Sequence, residues 1–141
     1  MAETMTIGKL AQRADLNPRT LRYYERIGLL TPSGRTAAGY RLYMEKDAIR
    51  LAFIRQAQGL GLSLAEIADI IVLREAGTAP CRHVSAVARA KVAAIAARIA
   101  ELRLLQDELM RLAERAETLQ DVCAETSTVC RAIERTRPTP P

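Results

Sequence analysis

The sequence predicts a mainly α-helical protein with two unlike parts, a compact N-terminal domain and one long C-terminal helix. All seven glycines lie before residue 78 and all five aromatic residues before residue 54, so turns and aromatic core residues belong to the first part. Residues 81–137 contain no glycine or proline and are rich in Ala, Arg, Glu and Leu, as long helices are. A length of 141 residues suits one small domain plus an arm and disfavours a large two-domain enzyme.

The net charge divides the chain at nearly the same place. Residues 1–55 hold ten of the 21 basic and five of the 16 acidic side chains, whereas residues 56–141 hold eleven of each. An excess of +5 confined to one domain favours a polyanionic partner such as nucleic acid. The chain has no run of 18 apolar residues and no secretory signal at its start, so we expect a cytoplasmic protein without a membrane partner.

The first elements are predicted to be two short helices joined by a tight turn. Thr6 can cap a helix whose apolar residues share one face at helical spacing: Ile7, Leu10, Ala11 and Ala14. Asn17 and Pro18 place a capping residue before a proline at the first helical position of a second helix, which Gly28 ends. That second helix carries three arginines: Arg19, Arg22 and Arg26. This is the pattern of a helix-turn-helix, whose second helix enters the major groove of DNA.

A β-hairpin is predicted to follow. Residues 31–39 are rich in turn formers and separate two short strand-like segments, near Leu29–Leu30 and at Tyr40–Tyr43. Such a projection beside a helix-turn-helix is called a wing.

Two further helices complete the predicted N-terminal domain. Residues 45–58 have apolar residues at helical spacing and end at the glycines of residues 59–61. Ser63 and Glu66 form a capping box for a helix from residue 64 to about residue 74. The segment from Gly77 to Pro80 breaks the chain again.

The C-terminal half is predicted to form one helix from Val84 to Val122. Nine apolar residues repeat at intervals of three and four, as in a coiled coil: Val92, Ile95, Ile99, Leu102, Leu105, Leu109, Leu112, Ala116 and Leu119. A helix of about 39 residues is roughly 58 Å long, and the chain has no second helix of equal length to cover this stripe. We therefore expect a symmetric dimer with a second copy; the alternative is a helix packed on its own domain.

Four segments of residues 5–74 together resemble the MerR family of bacterial transcription regulators. They occur in the family's order: IGKLA at 7–11, RTLRYYERIGLL at 19–30, GYRLY at 39–43 and LGLSLAEI at 60–67. The resemblance implies a winged helix-turn-helix and a dimerisation helix that forms an antiparallel coiled coil. It also implies binding to an inverted-repeat promoter in double-stranded DNA and activation of RNA polymerase there by bending and untwisting the DNA.

The residues expected to bind DNA lie on the second helix and in the wing. Arg19 and Arg22 share one helix face, from which a guanidinium can reach phosphate or guanine. The resemblance assigns a phosphate contact and a packing role to Tyr23 and Tyr24, in an order the sequence leaves open, and core packing is the alternative reading for each tyrosine. The full expected set is Arg19, Thr20, Arg22, Tyr23, Tyr24, Gly39, Tyr40, Arg41 and Tyr43.

The three cysteines are too few and too widely spaced for a disulfide framework. Cys81 stands where the family's sensors of soft divalent metals carry a cysteine, and Cys123 and Cys130 resemble the metal-binding loop of those sensors. The resemblance thus implies a thiolate site across the dimer for Hg(II), Pb(II), Cd(II) or, with an added ligand, Zn(II). His83 is either that added ligand or a solvated side chain.

Other effector classes are less well supported. A domain for an organic cofactor does not fit in 141 residues, and an iron–sulfur cluster would need four grouped cysteines. Ala116 occupies the position where these sensors carry their second cysteine, seven residues before Cys123. A thiol-based redox switch without metal and cysteines that act as small buried hydrophobes therefore stay open. No nucleophile–base set is present, so we do not expect an enzyme.

These observations divide the chain into five predicted parts. They are a winged helix-turn-helix domain at 1–75, a hinge at 76–83, a coiled-coil helix at 84–122, a metal-binding loop at 123–134 and a disordered tail at 135–141.

Overall fold

The computed structural model describes residues 3–119, 129–134 and 136 and divides into two compact units, residues 1–84 and 85–141. The first unit holds three short strands and four helices. In chain order the elements are β1 (Thr4–Thr6), α1 (Ile7–Ala14), α2 (Pro18–Arg26), β2 (Gly34–Arg35), β3 (Arg41–Met44), α3 (Glu45–Gly59), α4 (Leu64–Glu75), α5 (Cys81–Thr118) and α6 (Arg131–Glu134). The prediction of a mainly helical fold with a small wing and a long C-terminal helix is confirmed.

The turn between α1 and α2 follows from local capping chemistry. Asp15 adopts a left-handed conformation with φ of 52° and ends α1, as short polar residues tolerate. The Asn17 Oδ1 atom accepts a hydrogen bond from the Arg19 backbone N–H at 2.8 Å, and Pro18 begins α2. These are the N-cap and proline positions that the sequence indicates.

The three strands form one antiparallel sheet in the order β1-β3-β2. Met5 pairs with Tyr43, and Gly34 pairs with Leu42. The wing is therefore β2 and β3, and β1 adds a third strand that the sequence did not reveal.

The expected strand near Leu29–Leu30 is wrong. The backbone N–H groups of Leu29 and Leu30 both donate to the Tyr24 carbonyl, at 2.9 and 3.3 Å, so they cap the end of α2 and cannot pair in a sheet. Both side chains are buried. Their apolar character reflects core packing rather than a strand.

The core of the first unit lies between the helices and the inner face of the sheet. Its fully buried large side chains come from α1 to α4, from the segment after α2 and from β3: Leu10, Leu21, Leu30, Tyr43, Leu51, Ile54 and Ile67. The capping box predicted for α4 is present, because Ser63 Oγ accepts from the Glu66 N–H at 3.2 Å and Glu66 Oε2 accepts from the Ser63 N–H at 2.7 Å. This packing fixes α2 from behind and leaves its outer face free.

Helix α5 begins three residues earlier than expected. The Pro80 carbonyl accepts a hydrogen bond from the Val84 N–H at 2.9 Å, so residues 81–83 of the expected hinge are helical. Proline suits a helix start because no N–H is needed there. Helix α5 also ends earlier than expected, at Thr118 instead of residue 122. None of the helices that the structure describes has the length and apolar run needed to cross a membrane.

The apolar stripe of α5 is open to solvent within one chain. Val92 is 67% exposed and Ile95 is 59% exposed, and none of the 38 residues described in α5 is buried.

The end of the second unit contains one helical turn, α6, within the expected loop of 123–134. The Cys130 carbonyl accepts from the Ile133 and Glu134 N–H groups at 3.2 and 3.0 Å. Thr136, the one described residue of the expected tail, makes two side-chain hydrogen bonds. Its Oγ1 accepts from the Arg115 guanidinium at 3.3 Å and donates to the Ala132 carbonyl at 3.1 Å. Cys123 and the remaining tail, residues 135 and 137–141, lie outside the described residues.

Candidate nucleic-acid interface

The outer face of α2 and the wing form one basic, concave surface. Its lining contains four guanidinium groups and a single carboxylate: Arg19, Arg22, Arg26, Arg41 and Glu25. The three arginines of α2 follow one another at intervals of three and four, which places them on one face of that helix. Helix α2 and β3 thus bring together the arginines that the sequence assigned to DNA binding.

The paired tyrosines of α2 have different environments. Tyr23 is 43% exposed, and the Arg26 guanidinium lies 5.5 Å from its ring centroid, within range of a cation–π interaction. Tyr24 is buried, and its hydroxyl donates to Gln58 Oε1 of α3 at 3.2 Å. The expectation that Tyr24 contacts DNA is corrected: its ring packs in the core, and Tyr23 presents the exposed hydroxyl.

Thr20 of α2 is half-buried. It lies in the first turn of the helix, next to Arg19.

The wing turn is built around Gly39. Its φ of 88° lies in the left-handed region that favours glycine, and its carbonyl accepts from the Arg35 guanidinium at 3.0 Å. Thr36 closes the turn because its Oγ1 accepts from the Tyr40 N–H at 3.0 Å. Tyr40 is consequently 69% exposed at the wing, where its side chain can meet the DNA backbone.

Tyr43 does not reach the surface. Its side chain is fully buried, and its hydroxyl donates to Glu25 Oε1. Burial and the Glu25 carboxylate raise the pKa of the Tyr43 hydroxyl well above its usual range. The expected backbone contact by Tyr43 is therefore wrong. Residues two apart share one face of a strand, so Tyr43 and Arg41 both point toward Glu25 of α2, and Tyr43 is buried whereas Arg41, at the start of β3, stays partly exposed.

Glu25 is the interface residue that the sequence did not reveal. Its Oε2 forms an ion pair with Arg41, 3.0 Å from Nε, and only 11% of its side chain is exposed. From the sequence alone, an acidic side chain among arginines on a helix is expected to be solvated, and Glu25 was therefore not singled out. The one available signal is its position three residues after Arg22, on the face that the wing covers.

The cysteines have distinct settings. Cys81 is a free, exposed thiol at the first residue of α5, and Cys130 is a free, half-buried thiol before α6. Cys123 lies outside the described residues, and among those described no three His, Cys, Asp or Glu side chains form a group able to hold a metal ion.

His83 is half-buried, and its Nε2 is buried without a hydrogen-bond partner among the described residues. Because the helix already includes Cys81, residues 81 and 83 are two apart on a helix and point to different faces. One subunit's Cys81 and His83 therefore do not converge as ligands, which disfavours His83 as the added ligand.

Comparisons with known proteins agree with this architecture. The family model for the MerR HTH family regulatory protein matches residues 5–72, and the model described as MerR, DNA binding matches residues 49–112. The HTH-type transcriptional regulator ZntR of Escherichia coli K12 is 36% identical over 91% of this chain and 89% of that protein. The mercuric resistance operon regulatory protein of Bacillus cereus is 36% identical over 82% of this chain and 88% of that protein.

A solved structure extends the similarity through the long helix. The transcription regulator PbrR691 from Ralstonia metallidurans CH34, crystallised in complex with lead(II), is 36% identical with a TM-score of 0.75, over 92% of this chain and 97% of that chain. The family models, the relatives and the fold lead to one conclusion: this chain belongs to the MerR family of DNA-binding transcriptional regulators, which are not enzymes.

Proposed function

We propose that this protein is a metal-responsive regulator that binds an inverted-repeat promoter as a homodimer. In this proposal, soft divalent metal bound by cysteine thiolates changes how the dimer bends and untwists the promoter for RNA polymerase. The observation that carries the proposal is the joint basic surface of α2 and the wing. Because its ligand is promoter DNA, the protein works in the cytoplasm.

The DNA contacts follow from side-chain exposure. Arg19 and Arg22 lie in the N-terminal half of α2, the part of a recognition helix that reaches base edges in the major groove. Tyr40 and Arg41 are exposed on the wing, where hydroxyl and guanidinium groups suit phosphate oxygens. The helix would then read sequence while the wing holds the backbone.

The exposed stripe of α5 supports a dimer. A helix of 38 residues is about 57 Å long, and a second copy supplies a matching apolar face of equal length. An antiparallel pairing would also place the start of each α5 near the end of its partner, which brings Cys81 of one subunit toward Cys123 and Cys130 of the other.

The donor set suits a soft metal. Both described cysteines are free, and Cys81 is exposed at the first residue of α5. Three thiolates select Hg(II), Pb(II) or Cd(II), or Zn(II) with a further ligand. The mercuric-resistance and lead-bound relatives support this choice of metals. The metal would join the two subunits, and the chain's own contribution is to hold the thiolates at the end of each α5.

The test is a titration of the purified dimer with each of the four metals. We expect thiolate-to-metal charge-transfer absorption and a metal-dependent increase in transcription from a promoter that the protein selects. Cys81→Ser should abolish both while its DNA affinity stays unchanged. Ser85→Ala, one turn along the same exposed helix, is the matched control and should behave as the unaltered protein.

Two results would contradict the proposal. Undiminished induction in Cys81→Ser would exclude Cys81 from the sensor. Peroxide-dependent disulfide formation with no charge-transfer band on titration would replace metal sensing by a thiol-based redox switch.

A further inference from the structure

The Glu25 carboxylate joins the recognition helix to the wing inside the first unit. Its Oε1 accepts a hydrogen bond from the Tyr43 hydroxyl, and its Oε2 forms an ion pair with Arg41, 3.0 Å from Nε. Both partners belong to β3, whereas Glu25 belongs to the last turn of α2. One side chain thus makes two contacts between the elements that form the basic surface.

The two partners of Glu25 differ in how firmly the protein holds them. Tyr43 is fully buried, so its hydroxyl is a fixed donor that holds one carboxylate oxygen in place. Arg41 is partly exposed, with 43% of its side chain accessible against 11% for Glu25. The carboxylate is therefore anchored on its inner side by Tyr43 and holds the more mobile guanidinium on its outer side.

The atom that Arg41 uses is informative. A guanidinium has five N–H donors, one on Nε and four on the two terminal nitrogens. Glu25 pairs with the Nε side of the guanidinium, and the two terminal nitrogens remain for a phosphate group, which they can bind through two parallel hydrogen bonds. A flexible arginine loses side-chain entropy when it is fixed by DNA, and a guanidinium held beforehand loses less.

We propose that Glu25 is a positioning residue for DNA binding, which orients Arg41 of the wing for a phosphate contact beside α2. The inference rests on the proposed wing contact of Arg41 and adds the group that arranges it. The proposal and simple electrostatics predict opposite effects on DNA affinity when the Glu25 charge is removed. Glu25 is the single carboxylate on a surface with four arginines, so removal of its charge would by Coulomb attraction alone tighten DNA binding. Positioning predicts weaker binding instead.

The test measures the affinity of the full-length protein for a duplex selected from a random-sequence DNA pool. Glu25→Ala and Glu25→Gln should each weaken binding about fivefold, the effect of losing one oriented contact to a charged group. The Glu25→Gln side chain still offers the buried Tyr43 hydroxyl a hydrogen-bond acceptor. If Glu25→Ala lowers the thermal midpoint, Glu25→Gln therefore tests the same point without that loss of stability. Both variants should also reduce the salt slope of log Kd, as is expected of Arg41→Ala.

A double-mutant cycle separates positioning from folding. In the Arg41→Ala background, the Glu25 substitutions should no longer weaken binding and should tighten it slightly, because only the removed carboxylate then acts on the DNA. A general loss of structure would weaken binding in both backgrounds. Tighter or unchanged binding by the single Glu25 variants, or a weakening that persists without Arg41, overturns the proposal.

The cycle also distinguishes this inference from the proposed function. If Arg41→Ala itself binds DNA as well as the unaltered protein, the wing contact is wrong and the positioning role falls with it. If Arg41→Ala weakens binding and the Glu25 variants do not, the wing contact stands and only the positioning role of Glu25 is rejected.

Discussion

The Tyr24 hydroxyl donates a hydrogen bond to Gln58 Oε1 at 3.2 Å and so ties the recognition helix α2 to helix α3. The neighbouring Tyr23 ring lies 6.2 Å from the Tyr24 ring, between centroids, and faces outward. The two adjacent tyrosines therefore have different roles: Tyr24 holds α2 to the core, and Tyr23 is exposed on the surface proposed to bind DNA.

This division predicts opposite effects for the two tyrosines. Tyr24→Phe should lower the free energy of unfolding by about 1 kcal/mol, since one partly buried hydrogen bond is lost, and leave DNA affinity unchanged. Tyr23→Phe should leave stability unchanged and weaken DNA binding. Urea unfolding and fluorescence anisotropy measure the two quantities. A stability loss for Tyr23→Phe with none for Tyr24→Phe would reverse the assignment.

The raised pKa of Tyr43 predicts a loss of stability at high pH. The unfolded hydroxyl ionises near pH 10, while burial and Glu25 keep the folded hydroxyl protonated to higher pH. The unfolded state therefore releases its proton first, and the contribution of Tyr43 to stability, fully present below about pH 10, decreases as the pH rises above that value. Tyr43→Phe should lack this part of the alkaline decline in urea unfolding at pH 9 to 11. Identical pH profiles for the two proteins would contradict it.

The wing turn depends on the left-handed conformation of Gly39. Its φ is 88°, and a Cβ there would meet nothing within 4 Å, so the cost of Gly39→Ala is backbone strain alone, about 1 kcal/mol or more. We expect a lower thermal midpoint and weaker DNA binding. Gly34→Ala is the matched control, because Gly34 also has open space in the wing but no positive φ. Equal effects from both substitutions would show that the turn conformation is not the cause.

Dimerisation through the α5 stripe can be tested with neighbouring leucines. Leu105 belongs to the stripe and is 49% exposed, whereas Leu104 lies off the stripe and is 65% exposed. Leu105→Lys should raise the dimer dissociation constant by at least about tenfold, because a leucine that each subunit would bury in the proposed interface is replaced by a charge. Leu104→Lys should leave it unchanged. Sedimentation equilibrium distinguishes the two, and dissociation by both or by neither would place the interface elsewhere.

Much of this architecture could be predicted because it depends on local chemistry. Asn17, Pro18, Ser63 and Glu66 mark helix starts by rules that act within four residues. One error was local as well. The N–H groups of Leu29 and Leu30 close the end of α2 on the Tyr24 carbonyl, five and six residues back, and an apolar pair at that place in the sequence fits a buried helix end as well as a strand.

The site residues show a different limit. Tyrosine has both an apolar ring and a polar hydroxyl, so the sequence cannot distinguish Tyr24 and Tyr43 in the core from Tyr23 and Tyr40 on the surface. Glu25 was missed because its partners, on β3, lie 16 and 18 residues away. Those contacts exist only once the wing folds against α2.

The division of labour between α2 and the wing is the central claim, and a panel of selected duplexes with single base changes tests it most directly. Affinities of Arg22→Ala and Arg41→Ala are compared across the panel. We predict that Arg22→Ala relaxes the preference at one position in each half-site, while Arg41→Ala weakens binding equally to every duplex and lowers the salt slope by about one per subunit. A change confined to one base in Arg41→Ala, or uniform weakening without altered preference in Arg22→Ala, would contradict it.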